Sequence, residues 1–304
     1  MLSTDDGSVI RVVVPASTAN LGPGFDTLGM ALPLYMNVDL GWAQAGKNYP
    51  AFNTGLVGSI IRQVMQEVKI DRPFICQVNS EIPMARGLGS SAAAVVGALL
   101  AVNELLDQRW SREDILRRSV SIEGHADNVV PALVGGFTTA MVTEAGVFYQ
   151  QLKPPTSLKL LIAVPDKELA TRGARQVLPN EIPLTDAVFN LQRACYMVAA
   201  FASDNIQGLK AVFHDRWHQP FRENMVPGLR ELTTELENRP EVLGVTLSGS
   251  GPSMLVLMTD NQQEVQEVME NTLAIVGWKG DIYAMLPALM GATIERRSNR
   301  QWGL

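Results

Sequence analysis

Cysteine is scarce in this chain: Cys76 and Cys195 are the two among 304 residues. That excludes a disulfide framework and a structural zinc site, and it fits a reducing cytoplasm. Cys76 sits in a predicted strand and Cys195 in a predicted apolar helix, so both are expected to be buried free thiols. No long basic run occurs, and the net charge is −6. Binding to nucleic acid through its phosphates is therefore not expected. No apolar run is long enough for a membrane span, and residues 1–8 lack the core of a signal peptide, so the expected location is the cytoplasm. Internal repeats and low-complexity linkers are also lacking. What remains is 46% hydrophobic and 18% charged, a composition for a soluble protein of two domains with ample core.

The stretch richest in signal is Pro83–Ala94. Phe74–Asn79 before it reads as a strand, and Ala92–Val102 after it is apolar enough for a buried helix. Between them lie Gly87, Gly89, Ser90 and Ser91. Glycines allow close approach of the backbone, and a helix N-terminus offers free N–H groups with positive dipole charge. Together they make an anion site suited to phosphate; a serine-capped turn is the plainer alternative. No Gly-Lys-Ser/Thr closes the loop, so it is not a Walker A loop. Gly87-Leu-Gly89-Ser-Ser-Ala92 matches a loose dinucleotide pattern, but Ser80–Arg86 separates it from its strand and no acidic second strand follows.

The remaining elements follow in order. Val9–Val14 and Met30–Leu40 read as strands around a loop, 15–29, whose strongest polar groups are Asn20 and Asp26. These suit a ligand with an ammonium or hydroxyl, or simply the turn backbone. Asn53–Val68 is a helix that Asn53 could cap, and Ser111 with Asp114 starts another. Glu123, His125, Asp127 and Asn128 then cluster without zinc spacing. A carboxylate beside a phosphate loop suits Mg²⁺, and His125 reads as a hydrogen-bonded anchor. Strands are expected at 137–142, 147–152, 158–164, 242–247, 254–258 and 280–285. Helices are expected at 186–202, 209–213, 227–236 and 262–274. If 165–175 is helical, Thr171 and Arg175 share a face, and Arg175 could clamp a carboxylate or be a solvated surface side chain. His214 and His218 stand four apart without a third ligand, so no metal site is assigned there. Lys153-Pro-Pro-Thr-Ser is the expected boundary between domains 1–153 and 154–304.

Three small-residue motifs, Pro15–Gly29, Pro83–Ala94 and Gly244–Ser253, occur in the order found in the GHMP kinases, and the chain resembles that family over roughly residues 9–285. The resemblance implies an α+β fold: a first domain like ribosomal protein S5 domain 2, then a ferredoxin-like domain. It implies ATP and Mg²⁺ as cofactors and an alcohol group as phosphoryl acceptor. The form of the first motif and of Glu123–Ala132 implies L-homoserine as that acceptor, giving O-phospho-L-homoserine for threonine synthesis. Residue by residue, it assigns ATP contacts to Pro83, Arg86, Gly87, Leu88, Gly89, Ser90, Ser91, Ala92 and, more loosely, Asn53. It assigns the metal to Ser90 and Glu123, and the acceptor to Asn20, Asp26, Thr171, Arg175 and Arg222. His125 and Asn128 fall near the reacting centre. Asn128 stands where some members carry a basic Asp, and Asp127 is expected to face elsewhere. The hydroxyl proton is then expected to pass to a phosphate oxygen or water. Alternatives are a mevalonate- or sugar-type member, a non-catalytic sensor of nucleotide or amino acid, or, disfavoured by the loop placement, a dehydrogenase. A homodimer stays open.

Overall fold

The first strand sets the architecture. Ser8–Ala19 (β1) is buried continuously from Val14 onward, which requires a sheet covered on both faces. The structure, a computed structural model, describes residues 8–44, 46, 54–169, 171–210 and 212–298. β1 pairs antiparallel with Leu28–Trp42 (β2), Val12 opposite Val38, and the register shifts between Pro15 and Ala16. A proline has no N–H for the ladder, so a bulge is where it is tolerated. Gly55–Glu67 (α1), Phe74–Ser80 (β3), Ser90–Leu105 (α2), Arg112–Glu123 (α3), Val129–Val134 (α4), Phe137–Thr143 (β4) and Gly146–Leu152 (β5) follow. Residues 92–104 of α2 are all buried. It is the central helix, packed on β1 and β2 and flanked by α1 and α3, as its unbroken apolar sequence demands. The Ser111–Asp114 capping box at α3 is formed as expected.

The second half contains Lys159–Pro165 (β6), Thr171–Gln176 (α5), Leu184–Ala202 (α6), Gln219–Arg222 (α7), Leu229–Leu236 (α8), Val242–Leu247 (β7), Met254–Met258 (β8), Gln262–Ile275 (α9), Gly280–Met285 (β9) and Thr293–Ser298 (β10). Its sheet has the order β7-β8-β6-β9. The period of two divides its core. Leu161, Ala163, Val245 and Val256 join Leu232 and Met269 of α8 and α9 in one cluster. Leu160, Ile162, Leu255 and Leu257 belong instead to the main core of the protein. Phe137 of β4 stacks on Phe201 of α6 at 3.9 Å between ring centroids, joining the two halves.

Three expectations need correction. β10 was not foreseen: the chain returns to the first sheet, whose order is β10-β1-β2-β4-β5 with β3 on β2. On the way Ala288 N donates to Ala31 O and Gly136 N to Ala288 O. The polar sequence of β10 carries little strand signal because it is an edge. The helix expected at 209–213 is not seen among the described residues: a 3₁₀ turn spans Ile206–Leu209, and Val212 and Phe213 are buried outside any helix or strand. Cys195 is exposed, while Cys76 is buried and burial pushes its thiol up to about 12. α6 is apolar on both faces, so its sequence does not reveal which one points inward. Among the described residues, no helix is long and apolar enough to cross a membrane.

Candidate active site

The three small-residue loops meet at one point. Ser17 N donates to Leu88 O, Gly249 N to Ala19 O and Ser253 N to Arg86 O. Ser248 Oγ lies 2.7 Å from Gly87 O and 2.9 Å from Thr18 Oγ1. The crossing explains two glycines. A Cβ on Gly87 would stand 2.2 Å from Ser248 O and one on Gly89 2.0 Å from Ser17 Oγ, and both residues have positive φ, a conformation in which side chains are strained. Beside the crossing lies a pocket of about 110 Å³ lined by residues from all three loops and from α5, α7 and the segment after α3.

One end of the pocket is made mainly of backbone. Gly89 is the N-cap of α2, and no side chain caps that helix, so its first-turn N–H groups keep their capacity for an anion. Arg86, Gly87, Leu88, Gly89, Ser90 and Ser91 line this end; Ala92 is buried behind it. The Arg86 guanidinium is committed to carbonyls: Nε donates to Pro165 O at 2.6 Å, and other donors reach Met84 O and Asp166 O. It therefore ties the loop to the second sheet. Pro83 lies two residues before the lining, which starts at Ala85. Asn53 lies outside the described residues.

Next come the last residue of α3 and those that follow it. Glu123 accepts from Ser91 Oγ at 2.7 Å; the hydroxyl that touches it is that of Ser91 rather than Ser90. Burial raises the Glu123 carboxyl pKa, against the pull of Ser91 and His125. His125 Nδ1 donates to Asp127 Oδ1 at 2.6 Å, and its Nε2 faces Glu123 Oε1 at 4.0 Å. Burial disfavours the imidazolium, but Asp127, Glu123 and Asp26 together hold its pKa above the ordinary value. Asp127 does not face elsewhere, as the sequence reading expected. It lines the pocket, and its Oδ1 accepts from both His125 Nδ1 and Asn128 N. Asn128 Oδ1 accepts from Ser17 Oγ at 2.9 Å, which fixes its amide group. Among the described residues no cluster of three His, Cys, Asp or Glu side chains is arranged to hold a metal. A half-buried carboxylate with a serine hydroxyl beside an uncapped helix start nevertheless suits a Mg²⁺ ion that takes its other oxygens from phosphate and water.

The other end is charged. Arg175 Nη2 donates to Asp26 Oδ1 at 2.6 Å. Arg222 is 1% exposed, with Nε donating to Ala174 O at 3.0 Å. Burial, then the neighbouring Arg175, push the Arg222 guanidinium down to about 10. Both guanidiniums lie 5.5 Å from the ring centroid of Phe25, close enough for cation–π attraction to offset part of their repulsion. Asn20 uses Nδ2 on Gly249 O at 2.8 Å and Oδ1 on Asp26 N at 3.0 Å, so it braces the loop that presents Asp26. Thr171 opens α5, one turn from Arg175. Phe25, Gly249 and Ser250 also line the pocket without having been singled out; only the third Gly/Ser run hinted at the last two.

The family description "GHMP kinases N terminal domain" matches residues 55–136, and "GHMP kinases C terminal" matches residues 197–275. The chain belongs to the GHMP kinase family, and the α+β fold and family expected from its motifs are borne out. Within that family it is similar to homoserine kinases. That of Petrotoga mobilis is 37% identical over 278 residues, 88% of this chain and 90% of that protein. That of Clostridium beijerinckii is 35% identical over 297 residues, 94% of this chain and 98% of that protein. Among solved structures, homoserine kinase from Cytophaga hutchinsonii superposes with a TM-score of 0.83 at 26% identity, covering 97% of this chain and 99% of that chain. Mevalonate kinase of L. major, at 13% identity and a TM-score of 0.69, shares the fold. Membership makes the chain an ATP-using kinase of small molecules.

Proposed function

We propose that the protein transfers the γ-phosphoryl group of ATP to the side-chain hydroxyl of L-homoserine, giving O-phospho-L-homoserine and ADP. One observation carries the choice of acceptor. Asp26 and Arg175 pair with each other at 2.6 Å, with Arg222 beside them. An α-amino acid carries the complementary pair of charges, so its ammonium replaces Arg175 at Asp26 and its carboxylate takes Arg175 and Arg222. An isoprenoid acid draws Arg175 from Asp26 and brings no ammonium in its place, and a sugar brings neither charge and leaves the pair of Asp26 and Arg175 unused.

The N–H groups of Gly89, Ser90 and Ser91 would hold the ATP phosphates, with Gly87 allowing the approach. Glu123 with Ser90 or Ser91 would hold Mg²⁺, which would supply neutralisation of the phosphate charge. Phosphoryl transfer needs mainly positioning and stabilised charge. The acceptor oxygen forms the new P–O bond as the bond to the bridging β–γ oxygen breaks. Asn128, fixed by Ser17, orients the hydroxyl but cannot take its proton, which passes to a phosphate oxygen or to water. His125, held by Asp127, presents Nε2 toward Glu123 and the phosphates. The domain division at 153/154 and cytoplasmic location remain part of this proposal.

The test is coupled ADP release with Mg-ATP and a panel of L-homoserine, L-threonine, L-serine and mevalonate. Homoserine should give the highest kcat/KM by a wide margin. Turnover of mevalonate ahead of homoserine contradicts the reading, and tight ATP binding with no acceptor turned over favours a sensor.

A further inference from the structure

Behind Arg222 lies a buried polar chain that the reaction as described does not use. His218, the N-cap of α7, is 0% exposed and lies one turn before Arg222. Its Nε2 lies 2.8 Å from Gly22 O, and its Nδ1 lies 3.1 Å from Arg222 Nη1. A carbonyl only accepts and a guanidinium only donates. The two contacts therefore fix one tautomer: Nε2 carries the proton and gives it to Gly22 O, and Nδ1 is bare and accepts from Arg222. We infer that His218, as this neutral tautomer, is the positioning residue that aims Arg222 at the acceptor. The inference rests on the amino-acid reading of the pocket.

The surroundings support the assignment. Asp215 lies just before α7; its Oδ2 accepts from the backbone N of His218 at 2.9 Å and of Gln219 at 2.6 Å, and its Oδ1 from Asn190 Nδ2 and Trp217 N. That carboxylate anchors the turn rather than engaging the imidazole, from whose Nε2 it stands 3.6 Å away. The Phe25 ring packs on the imidazole at 5.2 Å between centroids, and Arg222 Nη1 also reaches Gly249 O at 3.4 Å. The charged groups facing His218 are Asp215, Arg222 and Asp26, and Arg175 faces Arg222 from α5. Burial, first among these influences, lowers the His218 pKa below its ordinary 6.5, which keeps the neutral form in place. A second proton would set an N–H against the guanidinium. His218 also joins two motifs: Gly22 belongs to the loop that carries Asp26, and Arg222 faces the same ligand from the opposite side. One imidazole thus fixes the spacing between the groups for the ammonium and the carboxylate.

Two substitutions separate the contacts. His218→Asn can put an amide oxygen where Nδ1 stands, keeping the acceptor for Arg222. His218→Gln can put an amide N–H where Nε2 stands, keeping the donor to Gly22 and losing that acceptor. The expected result is a homoserine KM raised by about 10–30-fold in His218→Gln and by only about 2–5-fold in His218→Asn, with kcat and the ATP KM within about threefold of wild type in both. Equal effects of the two variants, or a loss carried by kcat or the ATP KM, overturn the inference. If either variant fails to fold, the wild-type imidazole answers directly. Its ¹⁵N shifts at neutral pH should report a protonated Nε2 and a bare Nδ1, with the Nδ1 resonance moving when homoserine is added; an Nδ1–H tautomer or an imidazolium overturns it. A wild-type protein that does not turn over homoserine removes the amino-acid reading and this inference together. Turnover without the Asn/Gln difference removes this inference alone.

Discussion

The two ends of the pocket are built by opposite means. The phosphate end is nearly contiguous: residues 85–91 supply it with backbone, and Glu123 with its serine partner, flanked by His125, adds the side-chain chemistry. The acceptor end comes from four distant segments: Asp26 and Phe25 after β1, Arg175 on α5, Arg222 on α7 with His218 at its N-cap, and Gly249 after β7. Its charges are already paired with one another. In the proposed reaction the phosphate end takes its ligand into an unfilled set of N–H donors, whereas the acceptor end exchanges an internal ion pair for a ligand carrying the same charges. Substitutions should accordingly act on different kinetic constants.

The largest effect is expected at the phosphate end. Glu123→Gln should cut kcat/KM by about 100–1000-fold and weaken the response to Mg²⁺, as loss of a transition-state charge partner does elsewhere, with thermal stability kept. Unchanged Mg²⁺ dependence would take the metal away from Glu123. At the acceptor end, Arg175→Ala should raise the homoserine KM by about 10–100-fold, the worth of a charged hydrogen bond, with the ATP KM unchanged. A double-mutant cycle with Asp26→Ala sharpens the comparison: a partly exposed ion pair contributes little to folding, so coupling should be large in homoserine KM and small in thermal midpoint.

Asn128→Ala lies between the ends and should cost about 10–100-fold in kcat, a few kcal/mol at most. A loss as large as that of Glu123→Gln would mean that Asn128 does more than orient the hydroxyl. The smallest effect tests the folded frame. Cys195, exposed on α6, should be alkylated in the native protein, and Cys76 only after unfolding. The native Cys76 thiol holds its proton to about 12, against 9.0 for the free group. The unfolded chain therefore loses that proton first as pH rises, and stability should fall between those values by up to about 1.4 kcal/mol per pH unit. A Cys76→Ala variant should show a shallower fall in urea midpoint.

What was legible in the sequence follows the same division. Gly87, Gly89 and the apolar helix behind them are neighbours along the chain, so local composition reveals both the loop and its ligand class. Asn20, Asp26, Arg175 and Arg222 acquire a shared purpose only through the family motifs, because nothing local says that α5 and α7 close on the loop after β1. His218 and Phe25 were missed because a buried imidazole and an aromatic ring in a glycine-rich loop look like core. Asp127 was misdirected because a turn, unlike a helix or strand, has no period from which the facing of adjacent side chains can be read. The edge strand β10 and the buried residues Val212 and Phe213 were obscured in complementary ways: one is polar because it is exposed, and the others are apolar because they are buried without being helical.

The central claim is that the acceptor end reads both charges of an amino acid. Its most direct measurement is kcat/KM for L-homoserine against two alcohols of the same reach, 3-aminopropan-1-ol, which lacks the carboxylate, and 4-hydroxybutanoate, which lacks the ammonium. Each should be poorer than homoserine by about 100-fold or more. Either analogue phosphorylated as efficiently as homoserine would contradict the pairing of Asp26 with the ammonium or of Arg175 and Arg222 with the carboxylate.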